Sequence, residues 1–232
     1  MTTPRAQTRA DRSAAFRQAV RLYNSGEPAN FRKGFLLLQR AAAAGSIGAH
    51  EWLGAMYDYG LGTRANRPKA FQHYMIAAKR GDANAECHVG IFYEMGRGVR
   101  RNYRESRRWL ALAARQGDRE AMHVLGRLHR FGQGVPRNLQ SGYLLHRRAA
   151  KMGCAEAQFS TRVCLSRGEG VRANARAAFY WYFRAARQGH ADAAHNLGYF
   201  YREGKGVAKN PRRAEEWYAR ARRFAGAERA RE

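Results

Sequence analysis

The chain has 232 residues, of which 43 are basic and 18 acidic, for a formal net charge of +25. With 45% hydrophobic residues and five prolines it has the composition of a folded, helix-compatible chain, which excludes disorder throughout. Three scattered cysteines, Cys87, Cys154 and Cys164, with no CxxC pair, exclude a disulfide framework and a zinc ribbon.

Residues 1–13 form a basic N-terminal tail carrying Arg5, Arg9 and Arg12. No apolar stretch of signal-peptide length follows, and no apolar run is long enough to span a bilayer. The expected compartment is the cytoplasm, with export by a route that reads no classical signal left open.

Residues 14–44 read as a degenerate helix pair. Tyr23 and Gly26 fit the end of a first helix, and Asn30, Gly34, Leu38, Ala41 and Ala42 fit a second. The loop between them is two residues shorter than its later counterparts, as suits an N-terminal cap that shields the first core layer.

From Gly45 the chain repeats every 36 residues, giving units near 45–80, 81–116, 117–152, 153–188 and 189–224. Gly45, Gly81, Gly117, Gly153 and Gly189 open them, and Ala49, Ala85, Ala121, Ala157 and Ala193 follow in step. Each unit then carries a GxG pair, from Gly60/Gly62 to Gly204/Gly206, and an asparagine: Asn66, Asn102, Asn138, Asn174 or Asn210. Ser46, Asp82 and Asp118 are suited to cap a first helix, A. The first loop glycine suits its C-terminus, where a positive φ is needed, and the asparagine suits the start of a second helix, B. Leu53-Gly54, Val89-Gly90, Leu125-Gly126 and Leu197-Gly198 place a glycine mid-helix, where a neighbouring helix can approach closely.

Two units depart from the pattern. His129 replaces a tyrosine and Gly142 an alanine in one, and Thr161-Arg162 replaces Leu-Gly in the next. A buried arginine is costly, so that unit is expected to be locally looser. At the far end Arg222 stands for an alanine and Ala225 for the opening glycine, so the array stops and residues 225–232 form a C-terminal tail.

These columns resemble the Sel1-like repeats, a branch of the tetratricopeptide-like helical repeats. The resemblance rests on AxxxLGxxY at Ala49-Leu53-Gly54-Tyr57 and GxGV at Gly96-Gly98-Val99. It also rests on KAxxxYxxAAxxG at Lys69-Ala70-Tyr74-Ala77-Ala78-Gly81. It covers residues 14–224 and implies an all-α fold, a right-handed α/α solenoid of antiparallel helix pairs in about six repeats. It further implies a protein-binding adaptor in which the A helices line a concave groove, and it supplies no catalytic residue.

The residues themselves show no catalytic or metal motif. The eight histidines form no HExxH or Cys/His cluster and read as helix-surface residues, while Cys164 falls in an apolar column as a core thiol. No enzyme, cofactor or metal is expected. Aligning the A helices on Gly54 gives groove-facing columns: Glu51, Cys87, His123, Phe159, His195, then Ala55, Ile91, Arg127, Val163, Tyr199. Two more run Asp58, Glu94, Arg130, Ser166, Arg202 and Tyr59, Met95, Phe131, Arg167, Glu203. The candidate partner-binding residues are Glu51, Tyr59, His123, Arg127, Arg130, Phe131, Phe159, His195, Tyr199 and Arg202, because arginine and aromatic side chains dominate interface energetics.

The expected partner is therefore a protein or peptide. Of the 43 basic residues 37 are arginine, and the basic excess is spread over every unit and does not form one stripe. A diffuse shell of this kind gives weak, salt-sensitive binding to nucleic acid or another polyanion, which is the alternative reading. A compositional bias toward arginine codons also accounts for the charge and is the simpler reading.

Overall fold

The computed structural model describes residues 14–229, and the basic tail at 1–13 and the last three residues of the C-terminal tail lie outside it. Among the described residues there are twelve helices and no strand: α1 (Ala14–Asn24), α2 (Pro28–Ala43), α3 (Ile47–Tyr59), α4 (Arg67–Ala78), α5 (Ala83–Met95) and α6 (Tyr103–Arg115). They continue as α7 (Arg119–Phe131), α8 (Leu139–Lys151), α9 (Ala155–Arg167), α10 (Ala175–Arg187), α11 (Ala191–Glu203) and α12 (Pro211–Arg229). Odd-numbered helices are the A helices and even-numbered ones the B helices. The chain divides into two compact units, the first running through Leu125 with residues 133–135, the second comprising 126–132 and everything from Pro136.

The repeated polar residues make the helix ends. Ser46, Asp82 and Asp118 accept from the backbone N–H three residues on, at 3.0, 2.9 and 2.6 Å. All five repeated asparagines cap a B helix, and Asn102 accepts from both Arg104 and Glu105. Each also donates its own N–H to a carbonyl near the end of the preceding A helix, as Asn66 does to Tyr57 at 2.8 Å. Side chain and backbone of one residue thus start one helix and tie the loop to the other.

The two loop glycines do different work. Gly60 ends α3 in the left-handed region at φ +72°, its N–H bonded to the Met56 carbonyl. Gly62, also at positive φ, lies against the backbone of Phe31 and Arg32 at the start of the previous B helix, where a Cβ would collide. Gly98 does the same against Arg67, and in the second unit Gly206 against Ala175.

Mid-helix glycines admit the partner helix. A Cβ on Gly54 would sit 2.7 Å from the Tyr74 ring, one on Gly90 2.6 Å from Leu110, and one on Gly198 2.5 Å from Tyr218. In the first unit the core runs from Ala19 to Phe92 through Leu38, Leu53, Met56 and Tyr74. Consecutive pairs join by aromatic contacts that repeat in register: Phe71 meets Tyr93 edge-on at 5.2 Å, and in the second unit Phe179 meets Tyr201 at 5.3 Å.

Two expectations change. Asn30 does not start the first B helix: α2 begins at Pro28 after Glu27, and Asn30 sits in its first turn, donating to Ser25 and Glu27. The shortened loop lets proline, with its fixed φ, open the helix instead. The unit holding Arg162 is not distorted either, for α9 has the same thirteen residues and the same left-handed glycine end as its neighbours.

Candidate functional site

The A helices position the candidate residues. In the first unit Tyr59 ends α3 with 65% of its surface exposed, while Glu51 and His123 are half-buried. The Tyr59 column is open there, with Met95 57% exposed, but the other columns are not. Cys87, expected beside Glu51 on the groove, is buried, and so is Glu94. The Asp58 carboxylate is drawn inward by the Arg97 guanidinium at 3.0 Å, reaching from the next loop, so its position is an internal tie and not a contact surface.

In the second unit Phe131 continues the Tyr59 column and Phe159 the Glu51 column. Phe131 and Phe159 are 58% and 49% exposed, large rings that a core would otherwise hold. Each has a guanidinium against it: Arg130 at 5.2 Å from the Phe131 centroid, Arg162 at 3.8 Å from that of Phe159. Arg127 is half-buried on the same stretch of α7. Arg130 is not free for a partner, because its Nε donates to Glu169 at 2.7 Å and that bond holds the Glu169 carboxyl below the usual carboxylate range.

Arg162 is the residue that sequence reasoning passed over as a defect. It takes the glycine position of the A helix, is buried, and lies between the Phe159 ring and the Tyr182 ring, 4.1 Å away on α10. Its Nε has no hydrogen-bond partner, and burial lowers its pKa. The signal was present in the sequence: an arginine at a small-residue position, with an aromatic three residues before it on the same helix.

The three remaining candidates converge. His195, Tyr199 and Arg202 on α11 line one cavity of about 730 Å³ with Tyr218, Ala221 and Arg222 of α12. The His195 ring lies 5.1 Å from that of Tyr218, and the Arg202 guanidinium lies over both Tyr199 and Tyr218 at 5.7 and 6.0 Å. Lys205 donates to the Tyr199 hydroxyl at 2.8 Å.

Not all histidines sit on helix surfaces, as the sequence suggested. His146 is buried, in the B-helix column that elsewhere holds Tyr74, Leu110, Tyr182 and Tyr218. His50 and His73 meet at 3.0 Å between their Nδ1 atoms. Burial, with His50 and Lys69 nearby, pushes His73 down to about 4. All three cysteines are buried thiols that form no disulfide. Burial raises Cys164, and raises Cys154, whose Sγ donates to Glu156 at 3.3 Å, to about 11. Among the described residues no group of three His, Cys, Asp or Glu side chains is placed to hold a metal, and no helix is long and apolar enough to cross a membrane.

Helix pairs with this register are diagnostic, and the family model for the Sel1 repeat matches residues 12–46, 48–82, 83–118, 119–154, 155–190 and 191–223. The chain belongs to the Sel1-repeat family. Sel1 repeats generally mediate protein–protein interaction and are typically a non-catalytic scaffold fold. Among solved structures it is similar to c5321, a protective antigen present in uropathogenic Escherichia coli strains, at 28% identity and a TM-score of 0.82. That match covers 90% of this chain and 45% of the antigen's. It is also similar to a Sel1 repeat protein from Oxalobacter formigenes, at 28% identity and a TM-score of 0.78, covering 89% of this chain and 84% of the other. The immunity protein Pa5087 from Pseudomonas aeruginosa shares the fold at 19% identity and a TM-score of 0.58, over 95% and 84% of the two chains. Comparison with curated proteins returned no match.

Proposed function

We propose that this Sel1-repeat protein is a non-enzymatic cytoplasmic scaffold that binds a partner protein or peptide on the A-helix face of its second unit, with Phe131 and Phe159 as anchors. The observation that carries this reading is the exposure of those two rings, 58% and 49%, each with a guanidinium stacked on it. A large exposed ring gains most from burial against a partner, and an arginine beside it adds directional contacts at its edge. The packing columns hold glycine, alanine and buried apolar residues while these positions vary, as a surface that specialises requires.

The test is crosslinked capture from the native cell, followed by reconstitution with the purified partner. Phe131→Ala and Phe159→Ala should each weaken the reconstituted complex by roughly 2 kcal/mol while leaving the melting temperature within a few degrees, because both rings are half exposed in the free protein. Binding that persists in the double variant sinks the reading. Salt separates the alternative: a polyanion held by the diffuse arginine shell is released as ionic strength rises, whereas a complex anchored on buried rings is retained.

A further inference from the structure

The cavity between α11 and α12 lies where the repeat stops, and earlier pairs show what fills the same place. Tyr74 of α4 packs on His88 and Phe92 of α5 at 4.5 and 5.5 Å and is fully buried. Tyr182 of α10 packs on Phe200 of α11 at 5.0 Å and is buried likewise. Tyr218 holds the same register in α12, lies against Gly198, and stays half-exposed on the cavity wall. Ala78, Ala114, Ala150 and Ala186 are all buried, but their counterpart Arg222 is exposed. At Ala225 the chain does not turn back on a glycine and α12 runs on to Arg229, lengthening the wall.

We infer that this cavity is a docking socket for an acidic amphipathic helix of a partner protein, lying on α11 and α12 as the A helix of a further repeat would. Small residues at Ala191, Ala221 and Ala225 leave room for a helix backbone, and the Tyr199 and Tyr218 rings offer apolar surface. The A helices that fill the interior positions present alanine, then an apolar residue four on, then a larger apolar one seven on, as in Ala85, Val89 and Phe92. The docking helix needs the same stripe. Its flanks need negative charge, because Arg222 is exposed on the cavity wall and Asp192 is the sole acid among the lining residues, while Arg202 is already paired with Glu203 at 2.9 Å.

Charge argues against a second copy of this chain. The helix it would offer in a head-to-tail stack is α1, whose exposed residues include Arg21. Like charge brought against the exposed Arg222 repels, so the arginine that attracts an acidic helix also opposes self-stacking. The socket is separate from the Phe131–Phe159 face, and either can fail without the other.

The experiment uses a side-chain-stapled helix of about four turns with alanine, leucine and phenylalanine at i, i+4 and i+7 and glutamates on both flanks. A twin carries lysines in place of the glutamates. Titrated by fluorescence anisotropy against the full chain, the acidic helix is expected to bind at micromolar concentration and the lysine twin not to bind. Arg222→Glu should weaken binding about tenfold or more, and Ala225→Trp, which fills the cavity, should abolish it with the melting temperature unchanged. Equal binding of both helices, no binding of the acidic one, or indifference to both variants overturns the proposal. So does a single-stranded oligonucleotide that displaces the acidic helix and is itself lost with Ala225→Trp. Concentration-dependent self-association abolished by Arg222→Glu would assign the socket to a second copy and overturn it as well.

Discussion

Arg130 and Glu169 repeat, with the charges exchanged, the ion pair that Asp58 makes with Arg97. Both join the last turn of an A helix to the middle residue of the next GxG loop, 39 residues on, at 2.7 and 3.0 Å. Because the two pairs sit in the same columns, the position accepts an ion pair of either polarity, although Glu94 with Gln133 and Ser166 with Lys205 show that it does not require one. Arg130 and Glu169 are about four-fifths buried, so the pair is shielded from solvent screening more than a surface bridge. Glu169→Ala is therefore expected to cost about 1–2 kcal/mol in urea unfolding. The exchanged pair Arg130→Glu with Glu169→Arg should return to within about 0.5 kcal/mol of the parent, since the Asp58–Arg97 pair two repeats earlier already has that polarity. An exchange that is as unstable as the single loss would refute the equivalence.

Arg162 offers the converse case, a buried charge with no carboxylate on it. Its guanidinium is held by two ring faces, and its Nε is buried without a hydrogen-bond partner. Replacing a buried charge by an apolar side chain of similar length is often neutral or stabilising. Arg162→Met should leave stability unchanged or raise it by about 1 kcal/mol, read from the urea midpoint at constant m-value. A loss larger than that would show that the two cation–π contacts outweigh the desolvation of the charge.

The sequence carried the fold because backbone demands recur at fixed spacing: positive φ at Gly60, contact space at Gly90, a cap at Asn102. Surfaces were legible only in part. Periodicity places Cys87, Phe159 and His195 in one column, yet the first is buried and the other two are exposed, so the column alone does not fix exposure. Arg162 looked like a fault because its stabilising partner, Tyr182, is twenty residues away on another helix. Charge pairing across 39 residues, as for Asp58 and Arg97, is invisible until the loop and the helix are brought together.

Caps and contact glycines should be separable by experiment. Asn102 accepts two backbone N–H bonds, so Asn102→Ala is expected to cost roughly 1–2 kcal/mol by freeing orphan donors at the start of α6. Gly90→Ala adds a single methyl that would stand 2.6 Å from Leu110, so α5 or Leu110 must move, at about 1–3 kcal/mol. Alanine is the better helix former, and propensity alone would make this substitution stabilising. A measured gain in the denaturation midpoint would show that the approach of α5 to α6 is looser than the packing implies.

The histidine pair of the first unit sets a pH dependence with a defined sign. His73 is pushed down to about 4, first by burial and then by His50 and Lys69, and His50 is lowered by burial and by Arg80. The unfolded chain takes up these protons near the ordinary histidine value of about 6.5, whereas the folded one resists until lower pH. Stability from the pair is thus complete above about pH 6.5 and is lost progressively as pH falls toward 4. Thermal unfolding should show a melting temperature that drops between pH 7 and pH 5, and His73→Gln should flatten that drop by removing one of the two titrating rings. The His73 ring protons, followed by NMR, should show no titration step above pH 5. A step near 6.5 would mean that the ring is hydrated, and that the 3.0 Å contact with His50 does not persist in solution.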